Sequence, residues 1–106
     1  MIFIKLWIDD TRPAPSDDYE WCQSVNSAKA FIEDNEAEGY YDDRILLIDI
    51  DHDAGEYAQY GGDYIKLLDW LEETGRNYPI RIHSANPIGR ENMRRIIHRN
   101  GWKEIK

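Results

Sequence analysis

The 106 residues carry a net charge of −8, from 21 acidic against 13 basic side chains, and include four tryptophans and seven tyrosines. A chain of this size and apolar content reads as one compact, soluble domain over residues 1–106, which excludes a disordered protein. Its acidic field repels phosphate backbones and excludes broad binding to duplex DNA; a phosphate-bearing ligand is compatible only where a cation, or a local cluster of Arg and backbone N–H groups, offsets that field.

The run Ile2 to Ile8 is apolar except at Lys5, the pattern of a strand buried on both faces of a parallel sheet, and it ends in Asp9 and Asp10. Tyr19 to Val25 predicts a second strand. Asn26 or Ser27 can then cap a helix that turns Ala28, Phe31 and Ile32 to one face. A third strand is predicted over Ile45 to Ile50, followed by a loop holding Gly55, Gly61 and Gly62. Asp63 is the expected cap of the next helix, in which Tyr64, Leu67, Leu68 and Leu71 form a stripe that Gly75 ends. Pro79 precedes a fourth strand, Ile80 to Ser84, and Pro87 opens a helix with Met93, Ile96 and Ile97 inward and Gly101 at its end. Trp102 to Lys106 leaves room for a short fifth strand.

Cys22 has no partner for a disulfide or a metal and reads as a small buried residue, suited to a reducing cytoplasm. The N-terminal apolar run has no cleavage site and no segment approaches membrane-span length, so neither export nor membrane insertion is expected.

Alternating strands and helices imply right-handed crossovers and a parallel sheet of about five strands with helices on both faces, whose ligands sit at the C-terminal strand ends. Three such ends finish in reactive groups: Asp9 and Asp10; Asp49, Asp51 and Asp53 with His52; and His83, Ser84 and Asn86. Carboxylates gathered at one point either raise their pKa values or bind a cation, and an oxygen cluster of Asp9, Asp10 and Asp51 suits Mg²⁺ or Mn²⁺. His52 and His83 titrate in the useful range for general acid and base work on a phosphoester. Arg12, Ser84 and Asn86 are candidate phosphate ligands, with Asn86 equally able to cap the following helix; Arg90 is a weaker candidate, and His98 reads as exposed. Gly61 and Gly62 could cradle an anion, but without a P-loop signature they read as a turn.

This order of motifs resembles the receiver domain of response regulators, with an acidic pair after strand one, an acceptor aspartate after strand three and Ser after strand four. The segments WIDDTRPAP, DHDAG and HSANPIGRENM resemble a divergent branch more closely, the cyclic-phosphate-processing receiver-like family, over residues 4 to about 97. That resemblance implies a receiver-like, flavodoxin-like fold and a metal site at Asp9, Asp10 and Asp51. It also implies roles for Arg12, His52, Asp53, His83, Ser84 and Asn86 in processing a cyclic phosphate; Asp49 falls outside it. Ordinary receivers follow strand five with a Lys-Pro pair and a last helix, both missing here, although Lys103 or Lys106 could reach the site. The missing helix could leave an apolar face that a second subunit covers, as in a homodimer.

The expected function is metal-dependent hydrolysis of a cyclic phosphate on a nucleotide or RNA end, with Asp51 either nucleophile or metal ligand. The alternative is a non-enzymatic module that accepts a phosphoryl group on Asp51 or binds a phosphorylated ligand. A haloacid-dehalogenase-type phosphatase built on Asp49 and Asp51 is disfavoured by the short chain and by an acid pair that lies upstream.

Overall fold

The computed structural model describes residues 3–37 and 44–106; Ile2, assigned to the first strand from sequence, lies outside them. Strands β1 (Phe3–Ile8), β2 (Tyr19–Cys22), β3 (Arg44–Ile50) and β4 (Ile80–Ile82) form one parallel sheet in the order β2-β1-β3-β4. Helices α1 (Val25–Ala37), α2 (Ile65–Glu73) and α3 (Pro87–Arg99) connect them, with a 3₁₀ turn over Gly55–Tyr60. The fold is therefore the receiver-like α/β arrangement expected from sequence.

The fifth strand does not form: the last residues make one isolated bridge, Ile80 to Glu104, so the sheet has four strands where about five were expected. Only Ile80 among the β4 residues exchanges backbone hydrogen bonds with that segment, through Lys103 and Ile105. The helices depart from expectation too. They pack in series, α1 on α2 and α2 on α3. The crossovers β2 to β3, β3 to β4 and β4 to the final bridge all run in one direction along the sheet, and right-handed connections of one direction place their helices on one face. The only link in the opposite direction, from Ile8 to Tyr19, holds Pro13 and Pro15 and forms no helix. Among the described residues, helices thus cover one face, not both.

That covered face holds the core. Leu6, Ile8, Ile48, Ile50, Ile80 and Ile82 alternate toward Ile32, Leu67, Leu68, Leu71, Met93 and Ile97. Burying each such side chain contributes roughly 1.5–3 kcal/mol. The intervening residues, among them Lys5, Trp7, Asp49 and Arg81, point to the opposite face.

Two caps differ from the sequence reading. Ser24, not Asn26 or Ser27, starts α1: its hydroxyl accepts the Ser27 N–H at 3.0 Å while the Ser27 hydroxyl accepts the Ser24 N–H at 3.2 Å. This reciprocal box ends β2 at Cys22, three residues earlier than the expected Val25. Asp63 does not cap α2 with its side chain; its carboxylate accepts the Ala54 N–H at 3.0 Å and folds the β3–α2 loop back on itself.

Candidate active site

Parallel strands put their C-terminal ends in one plane, and β1 lies where the chain reverses direction across the sheet, the position at which ligands bind in such folds. Asp9 follows β1, Asp51 follows β3 and His83 follows β4. One donor atom from each lies within 4.8 Å of the other two.

Asp9 is 1% exposed, and its Oδ1 accepts the N–H groups of Arg12 at 2.8 Å and Thr11 at 3.1 Å. Burial pushes its carboxyl upward, but those two N–H groups and His83 outweigh it and hold the value below the ordinary 3.8. Asp9 is therefore an anion at neutral pH. Its Oδ2 lies 2.9 Å from His83 Nε2.

His83 Nδ1 lies 2.7 Å from Oδ1 of Asp49, a residue with no exposure. The second oxygen of Asp49 accepts from Arg81 at 3.0 Å and from the Tyr19 hydroxyl at 3.2 Å. Strand register produces this arrangement: Trp7 pairs with Asp49, and Asp49 with Arg81, across β1, β3 and β4 on the face without helices. Burial, then the Asp49 anion, raises the Tyr19 phenol, which keeps its proton and remains a donor. The His83 ring lies flat on the Trp7 indole, whose Nε1 donates to the Arg12 carbonyl at 2.7 Å.

The other predicted residues are placed as follows. Asp51 Oδ1 accepts the His52 N–H at 2.7 Å. Asp10 is half-buried outside the close trio, and Gly55, at φ +56°, lies against it: a Cβ there would meet Asp10 Oδ2 at 2.5 Å. His52 Nδ1 contacts Asp53 Oδ1 at 2.8 Å, while its Nε2 has no protein partner among the described residues. The His52 ring packs on Gly89 in α3, where a Cβ would come within 2.4 Å of Cγ. Buried Ser84 accepts the Asn86 N–H at 3.1 Å. Asn86 caps α3, accepting the Gly89 N–H at 3.0 Å. Arg12 and Ser84 line one cavity with His83 and Lys106, so of the two late lysines it is Lys106 that reaches this region.

Tyr64 senses the same acids from below. Its hydroxyl, buried and donating to the Gln23 carbonyl at 2.8 Å, is raised first by burial and then by Asp10, Asp9 and Asp51.

A family model described as the cyclic-phosphate processing receiver domain matches residues 4–99. The chain belongs to that family. No curated protein and no solved structure gives a significant match. Membership in the cyclic-phosphate processing receiver domains suggests a role related to cyclic-phosphate processing and a phosphate-containing substrate. No helix among the described residues is long and apolar enough to cross a membrane.

Sequence reasoning missed the parts that fix His83. Asp49 stands in the sequence reading among the strand-end acids and in a disfavoured phosphatase motif but carries no role toward His83, and Trp7, Tyr19, Arg81 and Gly89 carry none at all. A signal existed for Asp49: it is the single charge inside the run ILLIDI, two residues before Asp51, on the strand face that Trp7 and Arg81 share by alternation.

Proposed function

We propose that this receiver-like domain hydrolyses a cyclic phosphate on a nucleotide or RNA end with the help of a divalent cation. The observation that carries the reading is the Asp49–His83–Asp9 line of hydrogen bonds, which ends beside Asp51 in a chain of the cyclic-phosphate processing family. Two carboxylate oxygens and an imidazole nitrogen fit a divalent ion, with Asp9, Asp51 and His83 as holders and Asp10 as a further acid at its edge. An imidazole donor favours Mn²⁺ over Mg²⁺, which prefers oxygen. Asp49 then holds the far nitrogen of that imidazole, the outer-shell role that orients a histidine ligand. When bound, the ion supplies Lewis-acid polarisation of a phosphoryl oxygen.

The proton work falls to His52. Asp53 accepts from its Nδ1, which leaves Nε2 as the basic nitrogen. Nε2 takes a proton from the attacking water as the new P–O bond forms, and returns it to the ring oxygen as the endocyclic P–O bond breaks. The product is a phosphomonoester. His83 is oriented through Nδ1 by Asp49 and turns Nε2 toward Asp9 and the ion, so in this reading it serves as a holder. Arg12 and Ser84 are available to the non-bridging oxygens.

The test is a panel of 2′,3′- and 3′,5′-cyclic nucleotides and RNA ends bearing a terminal cyclic phosphate, each incubated with Mn²⁺ or Mg²⁺ and analysed for monoester product. Hydrolysis that Asp51→Asn abolishes and His52→Gln slows is the expected result. Absence of monoester across the panel removes the hydrolytic reading. In that case a phosphoryl-accepting module at Asp51 takes its place, tested by a beryllofluoride adduct on Asp51.

A further inference from the structure

The chain as a whole is acidic, yet the cavity beside His83 is lined by Arg12, Arg81, Arg90, Arg94 and Lys106 against the single carboxylate of Glu104. It lies beside the C-terminal end of β4, between α3 and the segment Glu104–Lys106. Its volume is about 470 Å³, within the range of small-molecule sites and many times the roughly 30 Å³ that one water fills. A lone phosphoryl group would leave most of that space vacant.

Two of the five cations have carboxylate partners and three have none among the described residues. Arg81 is held by Asp49 and Arg94 by Glu104, each at about 3 Å. Arg90 spends one N–H on the neutral carbonyl of Ser84 at 3.0 Å. Arg12 and Lys106 form no ion pair among the described residues. His83 and Ser84 form part of the wall, whereas Asp9 and Asp51 do not, so the cavity meets the Asp9–Asp51–His83 trio at His83 and otherwise lies beside it. A ligand whose reacting phosphate sits at His83 would extend its remainder across this basic wall.

We propose that this cavity is a second phosphate subsite, and that the substrate is a nucleotide end carrying a 5′-side phosphate in addition to its cyclic one. The assignment rests on the hydrolytic reading for the position of the reacting group, while the cavity's anion preference stands on its own lining. Lys106 and Arg94 are the residues that would hold the second phosphate, because they lie on the side of the cavity built from α3 and the last residues. That phosphate has two sources of the same chemistry, a terminal 5′-monoester or the diester to a preceding nucleotide.

Binding of non-reacting probes tests the subsite without relying on turnover. Calorimetry on the full chain, with Mn²⁺ present, compares a nucleoside 3′-phosphate, the nucleoside 3′,5′-bisphosphate, and a dinucleotide with a 5′-hydroxyl and a 3′-phosphate. The expected result is binding at least about tenfold tighter for the bisphosphate or the dinucleotide, the ratio of one charge-assisted contact. The probe that gains tells which source is used. Lys106→Glu should remove the gain and leave the 3′-phosphate affinity within about twofold, and added salt should erode it. Arg94→Gln, with a thermal melt to verify folding, gives a second reading from the helix side. Equal affinities for all three probes, no binding by any at millimolar concentration, or a gain that both variants leave intact would overturn the subsite. A retained bisphosphate preference in a chain that hydrolyses no cyclic phosphate removes the hydrolytic reading and keeps the subsite; hydrolysis indifferent to the 5′-phosphate does the reverse.

Discussion

The rings of Trp7 and His83 lie parallel to within 2°, with centroids 3.8 Å apart. The indole fixes the plane of the imidazole, and Asp49 and Asp9 fix its rotation within that plane, one carboxylate at each nitrogen. A histidine held in this way cannot swing toward solvent. With its side chain only 6% exposed, it is a fixed part of the site before any ligand arrives.

Asp49 carries most of that arrangement, so Asp49→Asn should be costly despite its matching shape. The change removes the charge that pairs with Arg81 and swaps one acceptor oxygen for a donor N–H facing the donors Arg81 and Tyr19. Breaking a buried ion pair from one side typically costs about 3–5 kcal/mol. Urea denaturation should show a loss near the lower end of that range, because the Arg81 side chain is 42% exposed and water can partly compensate it. A shift below about 0.5 kcal/mol, the scale of an ordinary surface substitution, would mean that the Asp49 network does not stabilise the fold.

How much of this was visible in sequence divides along a physical line. Signals that depend on local pattern were legible: the four strands, the α2 stripe of Leu67, Leu68 and Leu71, and the acids at the strand ends all follow from periodicity of neighbouring residues. What failed depended on competition between near-equal local options or on register. Ser24 and Ser27 satisfy each other as a pair, which no single-residue preference reveals, and Asp63 found a better donor in Ala54 than in its own helix. The stack of Trp7 on His83 and the contact of Gly89 with His52 join residues far apart in the chain, and only the strand order brings them together. The fifth strand was expected from length alone, whereas pairing beyond Ile80 did not develop.

A divalent ion that binds Asp9, Asp51 and His83 should stabilise the fold by mass action. At a concentration about 100 times Kd the gain is ~2.7 kcal/mol, which for a chain of this size raises Tm by on the order of 10 °C. Melts with Mn²⁺ and with Mg²⁺ should both show an increase, larger for Mn²⁺ at equal concentration. Asp51→Asn should abolish it, and Asp10→Asn should retain part of it, since Asp10 stands outside the close trio. An identical response in wild type and Asp51→Asn would assign the effect to the acidic surface at large.

Glu104 links α3 to the last residues through Arg94 at 2.9 Å, and its side chain is 9% exposed. Burial raises its carboxyl, but Arg94, with smaller help from His98 and Lys106, brings it below the ordinary 4.5. A carboxyl lowered on folding stabilises the protein above its unfolded-state value, and that contribution fades as pH falls through the folded-state one. Glu104→Gln should therefore cost about 1–3 kcal/mol at pH 7, with the difference from wild type shrinking once the pH drops well below 4.5. A difference that stays constant down to strongly acidic pH would make the loss one of packing alone.

Cys22 is 5% exposed, and burial, with a smaller push from Glu20, raises its thiol to about 12. Since only the thiolate reacts, the native chain should resist a disulfide reagent at pH 8 and react fully once unfolded in urea. Rapid reaction of the native chain would show that β2 opens often enough to expose its last residue.

Gly89 offers a way to test His52 without altering it. The His52 ring rests on the α3 backbone where a Cβ on residue 89 would fall 2.4 Å from its Cγ, so Gly89→Ala must displace the ring or the helix. Gly89 is the third residue of α3 and has a backbone conformation that alanine adopts without strain, which keeps the variant folded. Because Asp53 is 62% exposed, its hold on His52 Nδ1 is screened and yields when the ring is pushed. If His52 Nε2 moves the proton, Gly89→Ala should lower kcat on a cyclic phosphate substantially while leaving Mn²⁺ affinity within about twofold, and His52→Gln should lower kcat by ~10² to 10⁴. The pH profile separates positioning from simple structure. Gly89→Ala should keep the shape of the wild-type pH profile at reduced amplitude, whereas His52→Gln should change that shape. Turnover in His52→Gln within about threefold of wild type, far short of a general-base contribution, would leave His52 a packing residue on α3 and require another group to carry the proton.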